Sequence, residues 1–496
     1  MKKFLINKKV KAKGYKNNEY DAVIIGAGIG GLTCGCYLAK AGLKVLIVEQ
    51  HHKAGGYCTS FKRKGFTFDA TTHYLGSFRE NGPLRKVYDE LELENKVNII
   101  RFDPSNVIIS TDHKIHIWTN LDATIFEFQE NFKHEAENIE KFFKFICNSE
   151  FAALYIKLKN KTFKDLLDEY FKDEQLKGVL GVFLGNISLP SSRASALASV
   201  VLYKEFVLDG GYYPKGGMQT FSDAFVERFK ELGGEIMFRK KAEKIMVENH
   251  SVKGIVIDND NFIPSKIVIS NCDVSNTFFQ LIGKEHLPAN FTRKINNLEI
   301  SPSNFIVYLG LNKNYSNILE NRCSWWCSFN NSYDLKKLVS DLDRKDKPYS
   351  DDFIFCAFPS SHDLSLAPPD NEIVILIIPA KMTDNSFWKD SRNYLADNLI
   401  KKVENFIPNL SRSIVAKDTA SPLTLSRYTS NKKGASYGWA STVSQIDRNT
   451  MPLTTFIEGL YLSGHWTTQG TGQGGVSSVA YCGRNVAKQI IKSFKP

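Results

Sequence analysis

The sequence predicts an α/β protein with two domains, one built on a mixed sheet that is discontinuous in sequence and one of the α+β type. Its 496 residues exceed the size at which a single core stops growing, about 250–300 residues. Near the start of the chain, a strand, a glycine-rich turn, a helix and a second strand follow one another in a βαβ unit of roughly 30 residues. Further strand-like segments occur at 235–271 and 459–464. The first domain is therefore expected to be Rossmann-like and to draw on separated parts of the chain.

The first elements can be placed from their hydrophobic patterns. Residues 21–26 are a short apolar, β-branched run that ends in glycine, which predicts a buried parallel strand. Small and apolar residues recur at helical spacing over 31–41, and Gly42 is typical of a helix end. Residues 44–49, KVLIVE, form a second buried run.

The turn between the first strand and the first helix carries the pattern Gly26-x-Gly28-x-x-Gly31. These glycines respectively permit a tight turn, a close approach of the backbone to a pyrophosphate, and close helix–strand packing. The N–H groups and dipole at the helix start favour negative charge there. Glu49 ends the second strand, where its carboxylate can accept hydrogen bonds from ribose hydroxyls. These features predict a dinucleotide site.

Two further glycine clusters favour FAD over NAD. Gly55 and Gly56 follow the acidic strand and permit another close backbone approach, further along the cofactor. A third glycine-rich turn, which includes Gly474 and Gly475, precedes a C-terminal helix that begins near Val476. The start of this helix is expected to face the flavin pyrimidine edge and to stabilise the negative charge of reduced flavin.

The domain assignment follows from these patterns. Segments 1–79, 205–290 and 421–496 are predicted to form the FAD-binding domain. Segments 80–204, mostly helical, and 291–420, where strands alternate with a helix, are predicted to form a substrate-binding domain that faces a membrane.

Composition limits the partners and the compartment. The net charge is +11, but the basic runs are short and scattered and no nucleic-acid motif is present. These runs form either solvated lysine-rich faces or a weak preference for an anionic membrane. No apolar run reaches the roughly 18 residues of a spanning helix, and nine dispersed cysteines indicate free thiols in a reducing compartment. The sequence predicts a cytoplasmic protein, peripheral at the inner face of a membrane, with no metal site and an unspecified oligomeric state.

Blocks spread over nearly the full length resemble the phytoene desaturase, carotenoid cis–trans isomerase and retinol saturase family of flavoproteins, part of the amine-oxidase-like superfamily. The blocks are DAVIIGAGIGGLTCGCYLAKAGLKVLIVEQ (21–50), AGGYCTSFKRKGFTFDATTHYLG (54–76), GGYYPKGGMQTFSDAFVERFKELGGEI (210–236), AEKIMVENHSVKGIVIDN (242–259), VISNCD (268–273), GLYLSGHW (459–466) and GQGGVSSVAYCG (472–483).

The resemblance implies roles for residues beyond the first turn. Gly55 and Gly56 would flank the pyrophosphate and ribityl region, and Ile245 would contact adenine through its backbone. Gly464 and Val476 would flank the flavin. The resemblance also implies activity on C=C bonds of a hydrophobic polyene or isoprenoid, by desaturation, saturation or isomerisation.

Four residues are candidates for the reacting end of the site. Many family members have Asp after the glycine that matches Gly464, whereas this chain has His465 followed by Trp466. His465 is either an acid–base group or a packing substitution. His73 is either a catalyst or a hydrogen-bonded structural histidine, and Tyr437 is expected on the substrate face.

Two other functions stay open on the sequence alone. Trp466 also suits a flavin amine oxidase, since such enzymes typically place an aromatic cage against the flavin. A lipid-binding escort protein of related fold would bind a prenyl group without flavin. The complete glycine set and Glu49 argue against the escort function.

Overall fold

The computed structural model describes residues 20–110, 112–258, 260–313, 315, 324–329, 342, 344, 346–446, 450–467 and 475–494. The strands are β1 (Tyr20–Ile25), β2 (Val45–Glu49), β3 (Ser60–Arg63), β4 (Phe66–Asp69), β5 (Ile99–Arg101), β6 (Asn106–Ile109), β7 (Lys114–Ile117), β8 (Tyr212–Pro214), β9 (Glu235–Phe238), β10 (Ala242–Glu248), β11 (Ser251–Ile257), β12 (Asn261–Ser270), β13 (Ser303–Leu311), β14 (Ser324–Ser328), β15 (Phe353–Ala357), β16 (Glu372–Ala380), β17 (Ile414–Ala420) and β18 (Leu460–Leu462). The α-helices are α1 (Ile29–Lys40), α2 (Pro83–Glu90), α3 (Leu121–Asn131), α4 (Ala136–Asn148), α5 (Phe151–Leu158), α6 (Phe163–Tyr170), α7 (Glu174–Gly181), α8 (Ala196–Leu202), α9 (Met218–Glu231), α10 (Val274–Asn276), α11 (Ala289–Asn297), α12 (Pro359–His362), α13 (Asn385–Val403), α14 (Pro422–Thr429) and α15 (Val476–Phe494).

Within the described residues, the first sheet has seven strands in the order β10-β11-β12-β1-β2-β9, with β18 paired to β12. Strands β18, β12, β1, β2 and β9 pair in parallel, and β10, β11 and β12 form an antiparallel extension. Strand β1 is buried at nearly every position, as expected of a parallel strand covered on both faces. This is the mixed, discontinuous sheet that the sequence predicts.

The described part of the second sheet also has seven strands, in the order β17-β13-β16-β15-β14-β6-β7. Its pairs are antiparallel except for β14 with β6. All nine residues of β13 are buried, so this sheet is covered on both faces. The sheet and the helices α3–α8 make up the α+β part of the molecule.

The strands follow the predicted division of the chain. Those of the first sheet lie within 1–79, 205–290 and 421–496, and those of the second lie within 80–204 and 291–420. One small sheet, β5 with β8, joins the two parts. The domain boundaries themselves stay predictions.

Helices α1 and α15 pack against each other beside the first sheet. A Cβ atom on Gly483 of α15 would lie 2.2 Å from the carbonyl oxygen of Gly30. The two helix backbones are therefore in direct contact, which brings the start of α15 close to the glycine turn before α1.

The mixture of apolar and small residues over 184–214 suits either an interfacial entry wall for a lipid substrate or a buried helix that packs on the FAD-binding domain. In the structure these residues are all buried or partly buried. Because an entry wall at a membrane needs exposed apolar side chains, this segment is interior packing. Among the helices of the described ranges, none combines the length and the apolar character needed to cross a membrane.

Candidate functional site

A large cavity, called here the first cavity, lies at the carboxyl ends of β1, β2 and β12. It encloses about 1560 Å³ not filled by protein atoms, including a part open to solvent. Its wall includes Gly28, Glu49, Asn271, His465 and Val476. In open α/β sheets, ligands bind outside this end of the parallel strands.

The glycine turn shapes one side of the first cavity. Gly26 has a φ of 99°, a conformation that favours glycine. A Cβ atom on Gly31 would lie 2.3 Å from the carbonyl oxygen of Gly26, so the helix packs against the strand as predicted from the spacing. Gly28 precedes α1 and provides no side-chain cap, and the first turn of α1 has no acidic residue. The backbone N–H groups at this helix start are therefore suited to an anion.

Glu49 lies at the end of β2 on the cavity wall. Its carboxylate accepts hydrogen bonds from the backbone N–H groups of Ala27 at 2.7 Å and His51 at 2.8 Å. Burial raises the pKa of this carboxyl, and the backbone hydrogen bonds oppose that effect. These hydrogen bonds hold Glu49 in place on the cavity wall, and its predicted role as an acceptor for ribose hydroxyls stays a prediction.

Gly55 and Gly56 lie beside the glycine turn. The N–H of Gly55 donates to the carbonyl oxygen of Ala27 at 2.8 Å, and Gly55 bridges to Gly28. A Cβ atom on Gly55 would lie 2.4 Å from the carbonyl oxygen of Cys58. Both glycines line the first cavity, so two glycine-rich backbones meet at one wall.

The structure does not bring Ile245 to the cavity. Its side chain is buried in the core and its backbone pairs with Ile255 of β11. The wall here is formed by Lys240, Lys241 and Ala242 instead, because only the first residue of β10 borders the cavity. The predicted contact of Ile245 with adenine has no counterpart in this wall.

Asn271 is a site residue that the sequence analysis does not single out. Its backbone N–H donates to the carbonyl oxygen of Ile25 at 2.9 Å, and its side-chain amide donates to that of Gly26 at 3.4 Å. Cβ atoms built on Gly28 and Gly464 would lie 2.9 Å and 2.6 Å from the Asn271 side chain. Asn271 therefore joins the first glycine turn to the C-terminal one. Its only signal in the sequence is a polar residue directly after a buried strand.

His465 and Trp466 follow Gly464 along the wall of the first cavity. The imidazole of His465 lies 5.9 Å from the ring of Tyr57, centroid to centroid. Burial lowers the pKa of His465 to about 4, so the ring is neutral at neutral pH. The indole N–H of Trp466 donates to Asn431 Oδ1 at 2.9 Å and anchors the ring on the protein side of the wall.

Helix α15 begins at the junction of two cavities. Gly475 and Val476 line the first cavity and a second one next to it. That this helix start faces a flavin stays a prediction. Gly474, also predicted to bind the cofactor, lies outside the described residues.

The second cavity encloses about 990 Å³ and has mainly apolar walls. Its aromatic and aliphatic lining residues are Val182, Leu202, Phe206, Trp326, Phe353, Phe355 and Ile377. It shares Thr71, Thr72, Asn304, Tyr437, Gly475 and Val476 with the first cavity. The two cavities therefore adjoin along a common wall.

His73 and Tyr437 occupy different positions at this junction. Tyr437 lines both cavities, as a residue on the substrate face would, whereas His73 lines only the second. Burial raises the pKa of Tyr437 and lowers that of His73 to about 3. Neither ring nitrogen of His73 has a hydrogen-bond partner among the described residues.

Comparisons with known proteins agree with this architecture. Residues 24–91 match the model of an NAD(P)-binding Rossmann-like domain. A prolycopene isomerase of Daucus carota is 28% identical, over 96% of this chain and 80% of that protein. An all-trans-retinol 13,14-reductase of Danio rerio is 22% identical, over 94% of this chain and 86% of that protein.

Solved structures show the same fold. A redesigned putrescine oxidase superposes with a TM-score of 0.67 at 15% identity, covering 96% of this chain and 99% of the other. An oxidoreductase from Methanosarcina mazei superposes with a TM-score of 0.66 at 20% identity, covering 94% of this chain and 99% of the other. These likenesses confirm the predicted α/β fold with a Rossmann-like domain.

The residues at the first cavity fit a dinucleotide. Glycine backbones stand where a pyrophosphate must approach, an uncapped helix starts there, and a buried carboxylate lies at the strand end. The relatives match over almost the full length of the chain rather than over this domain alone. The chain is therefore an oxidoreductase enzyme that is similar, over almost its full length, to a prolycopene isomerase and to an all-trans-retinol 13,14-reductase, as the resemblance in its sequence predicts.

Proposed function

We propose that the protein binds FAD in the first cavity and acts on C=C bonds of a hydrophobic polyene or isoprenoid lipid in the second. The observation that carries this proposal is the shared wall of the two cavities, the first lined by glycine backbones and Glu49, the second lined mainly by apolar side chains. A cofactor that spans the first cavity would present its far end to that wall.

FAD is favoured over a nicotinamide dinucleotide by the extent of the site. The glycine turn and Glu49 account for the ADP half, which both cofactors share. The first cavity continues past Gly55 and Gly56 to Gly464 and the start of α15. Backbone N–H groups at that helix start would stabilise negative charge on a reduced ring.

A polyene suits the second cavity better than an amine does. The lining consists mainly of aromatic and aliphatic side chains, and no Asp or Glu is among the described lining residues. A protonated amine would have to leave water without a counter-ion, which is costly. The prolycopene and retinol relatives favour the same substrate class.

When bound, FAD would supply hydride or electron transfer at a carbon that faces its ring. The chain's own residues would exclude water and hold the polyene against the shared wall. His465 and Tyr437 would act there as neutral hydrogen-bonding groups, since burial opposes the charged form of each. Trp466 is hydrogen-bonded to Asn431 and would hold the cavity wall next to His465 in position.

We also propose a peripheral location at the inner face of a membrane, from which such a substrate would enter. Phe126 of α3, and Phe151 and Ile156 of α5, are exposed large apolar side chains in the part assigned to substrate binding. Helix α5 packs on α8, whose last residue, Leu202, lines the second cavity. Apolar surface thus lies one helix layer outside the proposed substrate site.

The test is turnover by the holoenzyme. Reduced and oxidised protein would be incubated separately with cis-polyenes in detergent micelles, with a primary amine as the competing substrate, and the products separated by chromatography. The proposal expects isomerised, saturated or desaturated polyene. Oxidation of the amine with no change in any polyene would contradict it.

A further inference from the structure

His73 is a polar exception in the wall of the second cavity. Its side chain is only 8% exposed, and both ring nitrogens lack a hydrogen-bond partner among the described residues. The large majority of buried polar side-chain atoms in proteins have a partner. His73 alone, of the residues lining this cavity, has such an unpartnered buried nitrogen in the described part of the chain.

Three neighbouring polar side chains in this wall already donate hydrogen bonds to other protein groups. The Thr71 hydroxyl donates to the carbonyl oxygen of Tyr57 at 2.8 Å, and the Tyr74 hydroxyl donates to Asn106 Oδ1 at 3.3 Å. The side-chain amide of Asn186 donates to the carbonyl oxygen of Phe183 at 3.0 Å. Each of these groups forms a hydrogen bond within the protein, whereas the ring nitrogens of His73 form none with the described residues.

The backbone around His73 is fixed, so its position is a property of the fold. Leu75 exchanges two backbone hydrogen bonds with Tyr212, of 2.7 Å and 3.2 Å. The ring of Tyr74 stacks on Phe206 with centroids 4.5 Å apart. His73 itself lies beside the ring of Phe355, at 5.9 Å between centroids.

We propose that His73 is a specificity residue that hydrogen-bonds a neutral oxygen function, a hydroxyl or a carbonyl, on the polyene. A neutral imidazole has one donor and one acceptor nitrogen, so it can pair with either group. The ring already lines the cavity, and rotation about its Cβ–Cγ bond, a broad torsion, presents a nitrogen to the ligand. The substrate class is then an oxygenated isoprenoid rather than a pure hydrocarbon. This inference rests on the proposed function.

The test compares matched polyenes on the oxidised holoenzyme. The probes are one polyene hydrocarbon, its terminal primary alcohol and its terminal aldehyde, all in the same micelles. Binding is followed by the change in polyene absorption, and kcat/KM is measured separately. The wild-type protein is expected to prefer the alcohol or the aldehyde by about ten-fold or more, since a buried group left unpaired carries a penalty of that order.

Two variants isolate the hydrogen bond. His73→Phe keeps an aromatic ring and removes both nitrogens, and it should abolish the preference. His73→Gln keeps a donor and an acceptor and should retain part of it. Flavin content and thermal stability are measured on both, because a merely structural role would change these and leave the ratio between probes unaltered.

The outcomes separate this inference from the proposed function. An equal preference in wild type and His73→Phe would overturn the role of His73, and so would conversion of all three polyenes with equal kcat/KM; either leaves the proposed function standing. A change in the flavin spectrum of His73→Phe without any polyene would assign the nitrogens to the cofactor and also overturn it. Binding that prefers the oxygenated probes without turnover of any polyene would support the role of His73 and count against the proposed chemistry.

Discussion

We expect recognition of the cofactor sugar to depend on Glu49. Its carboxylate accepts two backbone hydrogen bonds and is thereby positioned on the wall of the first cavity. A carboxylate that accepts from hydroxyl groups forms charge-assisted hydrogen bonds, which are stronger than neutral ones.

Replacing Glu49 with Gln should weaken FAD binding by about ten-fold or more, since hydrogen bonds to charged groups contribute about 1.5–3 kcal/mol. The measurement is titration of apoprotein with FAD, followed by flavin fluorescence. Glu243→Gln, an exposed change on β10, is the matched control. Equal affinity of both variants would show that Glu49 does not contact the cofactor.

The buried histidines predict how stability depends on pH. Burial lowers the pKa of His73 to about 3 and of His465 to about 4, below the usual value of about 6.5. In this interval the unfolded chain binds protons that the folded chain does not, so the free energy of unfolding falls as pH drops below about 6.5. The fall should be shallower in His73→Phe than in wild type.

This effect is measured as the Tm of the holoprotein at a series of pH values between neutral and mildly acidic. His286→Gln, at an exposed position, serves as the control and should follow the wild-type curve. A His73→Phe curve parallel to that of wild type would mean that the imidazole is protonated in the folded state.

The hydrogen bond of Trp466 makes a contribution to the free energy of unfolding that can be measured separately. Trp466→Phe removes the indole N–H that donates to Asn431 and should destabilise the protein by about 1–3 kcal/mol more than a comparable change elsewhere. Trp388→Phe is that comparison, because Trp388 is equally buried and its indole N–H has no partner in the described structure. Denaturant unfolding of both variants gives the difference, and equal losses would contradict it.

Among single residues, motif spacing predicts those whose positions are set by local geometry, and it misses those whose roles arise from tertiary contacts. Gly26, Gly28 and Glu49 follow from local geometry, since one turn and one strand end define them. Asn271 does not, because its role arises where β12, β1 and the C-terminal turn meet. His73 could be singled out in the sequence, but its lack of a partner depends on packing that the sequence does not show.

Helices α1 and α15 are the elements that bring the two ends of the site together. Their backbones touch where Gly483 faces Gly30, and each helix starts at the first cavity. Helix–helix contact therefore sets the distance between the proposed pyrophosphate end and the proposed flavin end of the site.

Gly483→Ala should separate these helices. The added Cβ would lie 2.2 Å from the carbonyl oxygen of Gly30 and 3.0 Å from the backbone nitrogen of Cys34, which cannot be relieved by a side-chain rotation. We expect a loss of about 1–3 kcal/mol in the free energy of unfolding, as for other overpacked sites, together with weaker FAD binding.

Gly35→Ala within α1 is the control for that variant. Its Cβ would meet only side-chain ends, at 3.0 Å or more, and alanine also raises helix propensity by about 1 kcal/mol. Stability and FAD affinity are measured on both variants. Unchanged FAD affinity in Gly483→Ala would show that the helix spacing does not control the site.

The sequence predicts elements whose apolar residues recur at regular strand or helix spacing. It does not predict the surroundings of segments that are buried on all sides. The first βαβ unit has buried runs ended by glycine, and the structure reproduces it. Residues 184–214 mix apolar and small side chains, which suits either an interfacial wall or an interior helix. In the structure this segment lies in the interior, where some of its residues line the second cavity. The local sequence pattern does not predict these tertiary contacts.

The whole molecule is organised around two adjoining cavities, each belonging mainly to one sheet. Changes confined to one cavity should therefore separate cofactor binding from substrate use. Gly185 lines only the second cavity, and a Cβ atom there would lie 2.6 Å from Trp326 Cζ3.

Gly185→Ala should push Trp326 into the second cavity and lower kcat/KM for a polyene by about ten-fold, the usual effect of one methylene in an apolar pocket. Flavin content should not change. Gly178→Ala on α7, not among the residues that line either cavity, is the control. Equal loss of flavin and of turnover in Gly185→Ala would contradict the separation of the two cavities.

The central claim is that glycine-rich backbones and Glu49 hold FAD in the first cavity. The most direct test is the flavin content of the purified full-length chain, with the released cofactor identified by chromatography and the stripped protein titrated with FAD. We predict one FAD per chain and reversible uptake by the apoprotein. Protein that carries no flavin and takes up none when FAD is supplied would contradict the account.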